Sequence, residues 1–240
     1  MSKIATCLSG HTRTYNKIFP NFSYETDIFI SSCLQSGLAP ESLPYLSYHY
    51  QGYTPTDHID VQDVLNKYSP KIWSFDDDKH IPQELEKFKD IKTLNGYNII
   101  HMGTMFYRIY QSNKFKKIWE YQNNFKYDYV VRSRFDLTIE EIKFESNKLF
   151  IIKDSKYYKD LFFYGPSNII DQITNCYEWF IYQSPEYLST FENAEHMFFH
   201  YINLLNLDIE EDNEFYFILK KDEPMQVNHF KNGEMWEVYG

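Results

Sequence analysis

The chain is 240 residues long, with a hydrophobic fraction of 43% and an aromatic fraction of 19%, which excludes a disordered polymer and allows one sizeable core. A formal net charge of −10 argues against general binding to nucleic acid or anionic membranes, because both need positive charge gathered against phosphate. No apolar run is long enough to span a bilayer and no charged-then-apolar leader opens the chain, so the expectation is a cytoplasmic protein with no membrane span. Cys7, Cys33 and Cys176 lie far apart without metal-type spacing and read as buried thiols in a reducing compartment.

Residues 3–8 form an apolar run that ends in Ser9, Gly10, His11, Thr12 and Arg13. A strand followed by a small-residue turn with hydroxyls and an arginine is how an open α/β sheet offers a ligand-binding loop. As an ordinary turn it would need only Gly10 at positive φ. The glycine spacing of a dinucleotide fingerprint is missing. Residues 26–33 read as a second strand, with Asp27 structural at its start. Residues 35–56, with Gly37, Pro40, Pro44, Gly52 and Pro55, have no period and read as a long surface connection, a candidate flap. Val61, Val64, Leu65 and Tyr68 then recur at helical spacing behind Asp57 or Asp60 as cap, and Ser69-Pro70 stops that helix. Residues 71–75 are a third strand leading into Asp76-Asp77-Asp78. Carboxylates so close can chelate a hard divalent cation, but Lys79, His80 and the polar residues 83–90 favour a solvated turn and a surface helix.

Residues 98–121 are the longest helical candidate, with Ile99, Met102, Phe106, Ile109 and Tyr110 on one stripe and Ile118 and Trp119 continuing it. Arg108, Gln111 and Asn113 fall off the stripe's centre, where any of them could reach a ligand, and are expected to face solvent. This helix delivers the chain to residues 127–137, a short buried strand that runs into Arg132, Arg134 and Asp136. The chain has four arginines against twenty lysines, and two of the four sit here. A rigid guanidinium fork pairs bidentately with phosphate or carboxylate, so the stretch is a candidate anion site or else an internal Arg/Asp ion pair.

Residues 148–152 and 160–165 read as further strands. Pro166 opens a helix whose apolar face is Ile169, Ile170, Ile173, Tyr177 and Phe180. Asp160, at the start of an apolar strand, is a turn residue or a ligand. Residues 191–205 form a second helix with Ala194, Met197, Phe198, Tyr201, Ile202 and Leu205 inward. Glu195 lies at the stripe's boundary, while Glu192 and His196 point away. A carboxylate partly shielded from water can serve as a general base, or it can simply edge a packed face. An exposed acidic stretch at 210–214, a strand at 215–219 and a strand-like segment at 226–230 carrying His229 follow. The order is that of one α/β domain with a central, mostly parallel sheet flanked by helices and an irregular C-terminal half.

Residues 4–13, 67–71 and 127–136 together resemble the nucleotide-sugar-dependent glycosyltransferases of the GT-A fold. More narrowly, the chain is similar to small glycosyltransferase-like proteins of large DNA viruses, phages and bacterial polysaccharide loci. The resemblance implies a single GT-A-like (Rossmann-like) domain over 1–240, its nucleotide-binding half at 1–137 and its acceptor-side half at 138–240. It implies that Ser9, Gly10, Thr12 and Arg13 hold the nucleotide, that Arg132 and Arg134 face the diphosphate, and that Asp136 carries Mn²⁺ or Mg²⁺. Asp160 or Glu195 would be the general base, and the sugar would pass to a hydroxyl of a glycan acceptor. The family's Asp-x-Asp motif departs here, since Arg134 stands where the first Asp would be. Guanidinium groups can neutralise a diphosphate in place of a metal. The alternative is a catalytically inactive carbohydrate- or nucleotide-binding module of the same fold.

Overall fold

A computed structural model describes residues 2–12, 15, 22, 24–34, 58–77, 82–135, 137, 138, 142, 144, 147–153, 156–212, 214–218, 226–231 and 234–239, with backbone alone described at 138 and beyond 210. The strands are β1 (Ile4–Ser9), β2 (Asp27–Cys33), β3 (Ile72–Asp76), β4 (Tyr129–Ser133), β5 (Leu137–Thr138), β6 (Leu149–Lys153), β7 (Tyr158–Pro166) and β8 (Ile209–Asp212). All but β5 join one seven-stranded sheet in the order β3-β2-β1-β4-β7-β6-β8. β3, β2, β1 and β4 are mutually parallel, β7 runs against β4 and β6, and β8 is parallel to β6. The sheet is thus mostly parallel, as the run of short apolar strands predicts.

Alternation along the strands sends side chains to two covered faces. Ala5, Cys7, Phe29, Val130, Ile151 and Phe163 belong to the larger core. Leu8, Ile28 and Ile30 pack on the other face with Val64, Tyr68 and Phe135. Beside them Val131, Ile152, Phe162 and Tyr164 gather Leu137 and Ile142. Helix α1 (Val61–Tyr68) covers part of this second face; Asp60 caps it by accepting the Asp63 N–H, and Ser69 ends it at φ 45°.

The larger core is roofed by α2 (Ile99–Asn123), with a 3₁₀ helix at Gln83–Phe88 against its flank. Leu85 and Phe88 of that short helix are fully buried, so this segment is a surface helix with its charges in solvent, as expected, that also drives two apolar side chains into the core. Gly103 of α2 permits the approach: a Cβ there would lie 2.7 Å from the Phe180 ring and 2.8 Å from Leu85. The expectation that Arg108 and Asn113 face solvent is overturned, since they are 2% and 1% exposed. The reason is that α2 has neighbours on its polar side as well as beneath it. Arg108 pairs with Asp76, Asn113 donates to Asp171 and Thr174 at 2.8 Å, and the fully buried Lys116 donates to Ser167 and Asp171 at 2.8 Å. Buried polar groups persist when they are paired in this way.

The helix expected from Pro166 to Phe180 is two, α3 (Ser167–Ile173) and α4 (Cys176–Ile181). At the break Thr174 turns its hydroxyl back onto the Ile170 carbonyl at 2.9 Å, the bend that a mid-helix Thr favours. Then follow α5 (Pro185–Leu188) and α6 (Ala194–Leu204). Met197, Phe198, Tyr201 and Ile202 form the buried stripe of α6.

The C-terminal half is not irregular. Residues 210–212, read as part of an exposed acidic stretch, belong to β8 (Ile209–Asp212), which pairs with β6 at the end of the sheet. Beyond it β9 (Glu214–Ile218), β10 (Gln226–Lys231) and β11 (Glu234–Tyr239) join β5 in a four-stranded sheet, β11-β10-β9-β5. Every pairing in it is antiparallel. Asn232-Gly233 between β10 and β11 is a strong hairpin signal.

Candidate functional site

In the parallel half of the sheet the chain steps from β1 to β2 and β3 on one side, while β4 lies on the other. The crevice outside the carboxyl ends at such a reversal is where open α/β sheets bind ligands. Ser9 is the last residue of β1, and Arg132 and Ser133 end β4. Because β7 runs the opposite way, it begins at this edge and brings Asp160 to it.

Arg132 is 1% exposed and joins these strands. Its Nε–H donates to Ser9 Oγ at 3.2 Å, its Nη2 lies 3.8 Å from Asp160 Oδ2, and its guanidinium lies 5.9 Å from the centre of the Phe163 ring. Three residues singled out from the sequence, Ser9, Arg132 and Asp160, therefore meet across β1, β4 and β7. The alternative of an internal ion pair holds for Arg132, with Asp160 as the carboxylate. Gly10 takes φ 103° with open space where a Cβ would stand, so the backbone conformation requires glycine there. Its N–H donates to Ser31 O at 3.3 Å and its carbonyl accepts the Ser32 hydroxyl at 2.6 Å.

Two hydroxyls at this edge, Thr12 Oγ1 and Ser31 Oγ, are buried and have no hydrogen-bond partner among the described residues. A buried hydroxyl without a partner is costly, and a crevice that collects two is suited to a polar ligand.

Glu195 lies in the first turn of α6, partly exposed, with Lys159 Nζ 3.7 Å from its Oε1. Since Lys159 precedes Asp160 on β7, both candidate bases occupy the same edge. Arg134 is half-buried just past β4, and its carbonyl accepts the Ser133 hydroxyl at 3.0 Å. Arg13, Asp136, Asp78 and the candidate flap at 35–56 lie outside the described residues. His229 sits on β10 opposite Tyr216 and Trp236.

The pair of Asp76, the last residue of β3, and Arg108 of α2 went unnoticed in the sequence. The signal available was that Arg108 is another of the four arginines. A second feature is the stack of His196 on Tyr157, with centres 4.7 Å apart and planes 12° apart. His196 thus packs against the residue that leads into β7 instead of pointing away. Its Nδ1 accepts the Glu192 N–H at 3.3 Å, and burial lowers its pKa, opposed by the Glu192 carboxylate. The three cysteines are buried free thiols, as expected. Burial pushes Cys7 up to about 12, with Lys116 partly offsetting it, which removes it as a nucleophile at neutral pH.

Among the described residues, no group of three His, Cys, Asp or Glu side chains is placed to hold a metal. The carboxylates of Asp76, Asp160 and Glu195 each face a cation of the protein. Among the described residues, too, no helix is long and apolar enough to cross a membrane. No family model and no curated protein matches this chain.

Proposed function

We propose that the protein is a nucleotide-sugar-dependent glycosyltransferase, a hexosyl- or deoxyhexosyltransferase of GT-A type, acting on a glycan hydroxyl from a donor such as a UDP-sugar. The observation that carries this reading is the meeting of Ser9, Arg132 and Asp160 at the reversal point of a parallel sheet, beside the unpartnered hydroxyls of Thr12 and Ser31. Those hydroxyls are suited to the ribose and phosphate oxygens of a nucleotide. Arg132 is held beneath the crevice, where its positive charge favours an anion above it. Arg134, less buried, is the group to contact the leaving diphosphate directly, and Arg13 would help to hold the nucleotide.

For an inverting transfer, Glu195 is the better base. It is partly exposed, whereas Asp160 is 5% exposed and faces Arg132. The acceptor O–H gives its proton to the Glu195 carboxylate as its oxygen bonds to the anomeric carbon. The bond from that carbon to the diphosphate oxygen breaks, and its electron pair leaves with the nucleoside diphosphate. Asp136 would hold Mn²⁺ or Mg²⁺, which would supply positive charge to the leaving diphosphate.

One observation favours the second reading, an idle sugar- or nucleotide-binding module: Asp76, Asp160 and Glu195 all face protein cations. The test is a thermal-shift and donor-hydrolysis screen with UDP, GDP and their sugars, with and without Mn²⁺. The enzyme reading expects stabilisation by a nucleotide, slow donor hydrolysis, and a loss of about 100-fold or more in turnover for Glu195→Gln. Stabilisation by a glycan alone with no hydrolysis of any donor supports the module. Equal hydrolysis by wild type and Asp136→Ala removes Asp136 from the metal role.

A further inference from the structure

The opposite edge of the same sheet holds a recess of about 610 Å³, lined by Ser2, Lys3, Ile4, Glu25, Thr26, Asp27, Phe125, Tyr127 and Phe144. All of these but Phe144, which lies between β5 and β6, precede or begin β1, β2 and β4, so the recess opens at the amino ends of those strands. It is separated from the Ser9, Arg132 and Asp160 cluster by the length of β1. Its size falls in the range of small-molecule sites.

We infer that this recess binds a neutral oligosaccharide. Its walls combine aromatic rings with hydrogen-bonding groups of both kinds, the combination that a sugar needs because each ring has an apolar C–H face and a rim of hydroxyls. Phe125 and Phe144 are half-buried, so part of each ring faces the recess. Both rings are braced from behind, Phe125 edge-on to Tyr127 at 4.9 Å and Phe144 edge-on to Tyr24 at 5.0 Å. Lys3 Nζ stands 4.3 Å above the centre of Phe125, so Phe144 is the ring that meets the sugar's C–H face, and a braced ring offers contact area at little entropic cost.

Asp27 supplies the fixed acceptor. Its Oδ2 accepts from the Tyr127 hydroxyl at 2.6 Å, and its Oδ1 lies 3.2 Å from Lys71 Nζ. A carboxylate has roughly four acceptor positions, so these two contacts orient Asp27 and leave capacity for ligand hydroxyls. Glu25, exposed at the rim, adds a second acceptor. Lys3 supplies donors.

The same groups disfavour the other ligand classes. Two carboxylates in the lining repel a nucleotide or another polyanion. A cationic ligand is disfavoured by the ammonium of Lys3, whose Nζ stands 4.3 Å above the centre of Phe125. A purely apolar ligand would leave Glu25, Asp27 and Lys3 desolvated without compensation.

The test uses the full chain without any nucleotide donor, so its outcome is independent of the glycosyltransferase proposal. Maltotriose, cellotriose, chitotriose and xylotriose are titrated by calorimetry and by saturation-transfer NMR against wild type, Glu25→Gln and Phe144→Ala. At least one trisaccharide is expected to bind. Each substitution should weaken that binding by about tenfold or more while leaving any UDP-induced thermal shift unchanged. Both positions are at least partly exposed, and retained cooperative melting of each variant verifies its fold. No binding by any of the four sugars overturns the inference. So does binding that is equally tight in all three proteins, or binding that UDP displaces.

Discussion

At the residue scale the central fact is the burial of Arg132 with Asp160 as its carboxylate partner. An arginine that is 1% exposed has lost its hydration, and the loss is tolerable only because Ser9, Asp160 and the Phe163 ring surround it. Removing one member of a buried pair leaves the other charge uncompensated, which costs about 3–5 kcal/mol. Replacing both with apolar side chains removes that penalty. Urea unfolding of Arg132→Met should therefore show a loss of about that size, and Arg132→Met/Asp160→Leu should recover most of it. A single-variant loss below about 1 kcal/mol, the range of a surface pair, would show that Asp160 does not depend on Arg132. Arginine scarcity identified Arg132, but nothing in the spacing named Asp160 as its partner, because the partners lie on strands whose pairing the sequence does not specify.

At the element scale α6 joins a correctly read buried stripe to a less legible flank. Its stripe of Met197, Phe198, Tyr201 and Ile202 was legible because a 3.6-residue period reports directly on burial. The role of His196 was not legible, since the Tyr157 that receives it lies just before β7, about forty residues earlier in the chain. Likewise, Arg108 and Asn113 were assigned to solvent because a period finds the apolar face and is blind to a second neighbour against the polar one. The same α6 flank gives a pH prediction. Burial holds the His196 pKa below its ordinary value, with the Glu192 carboxylate opposing and Lys156 and His200 adding to the fall. A histidine depressed on folding binds fewer protons in the native state. Its contribution is complete above the unfolded pKa of about 6.5 and is lost as pH falls through and below that value. Protonation of Nδ1 also ends its acceptance of the Glu192 N–H. The melting temperature of wild type relative to His196→Gln should hold steady above about pH 7.5 and decline toward about pH 5. A flat difference would mean that His196 titrates alike in both states.

At the scale of the whole molecule, the two sheets meet in sequence at the proposed donor site. β4 ends at Ser133 in the large sheet, and β5 begins at Leu137 in the small one. Arg134, Phe135 and Asp136 thus bridge two sheets. Phe135 is anchored on the large sheet with Leu8, Ile28 and Ile30, 2% exposed and edge-on to Tyr68 at 5.5 Å. β5 is only two residues long and is held by pairing Leu137 with Phe217 and Thr138 with Tyr216 of β9. So short a strand does not persist without its partner. The far end of the chain therefore fixes where the stretch after Arg132 leaves the site, although some eighty residues separate Leu137 from Phe217. Removal of residues 214–240 tests this coupling. The large sheet contains none of those residues, so the shortened chain should keep its far-UV circular dichroism for helices and the central sheet and still unfold cooperatively. Freed from β9, β5 should open, and the conformational freedom returned to residues 134–136 should weaken any stabilisation by nucleotide and Mn²⁺ by about tenfold in apparent affinity. A shortened chain that binds as tightly as the full one would mean that the donor site is complete within the large sheet, and that the C-terminal strands serve another purpose.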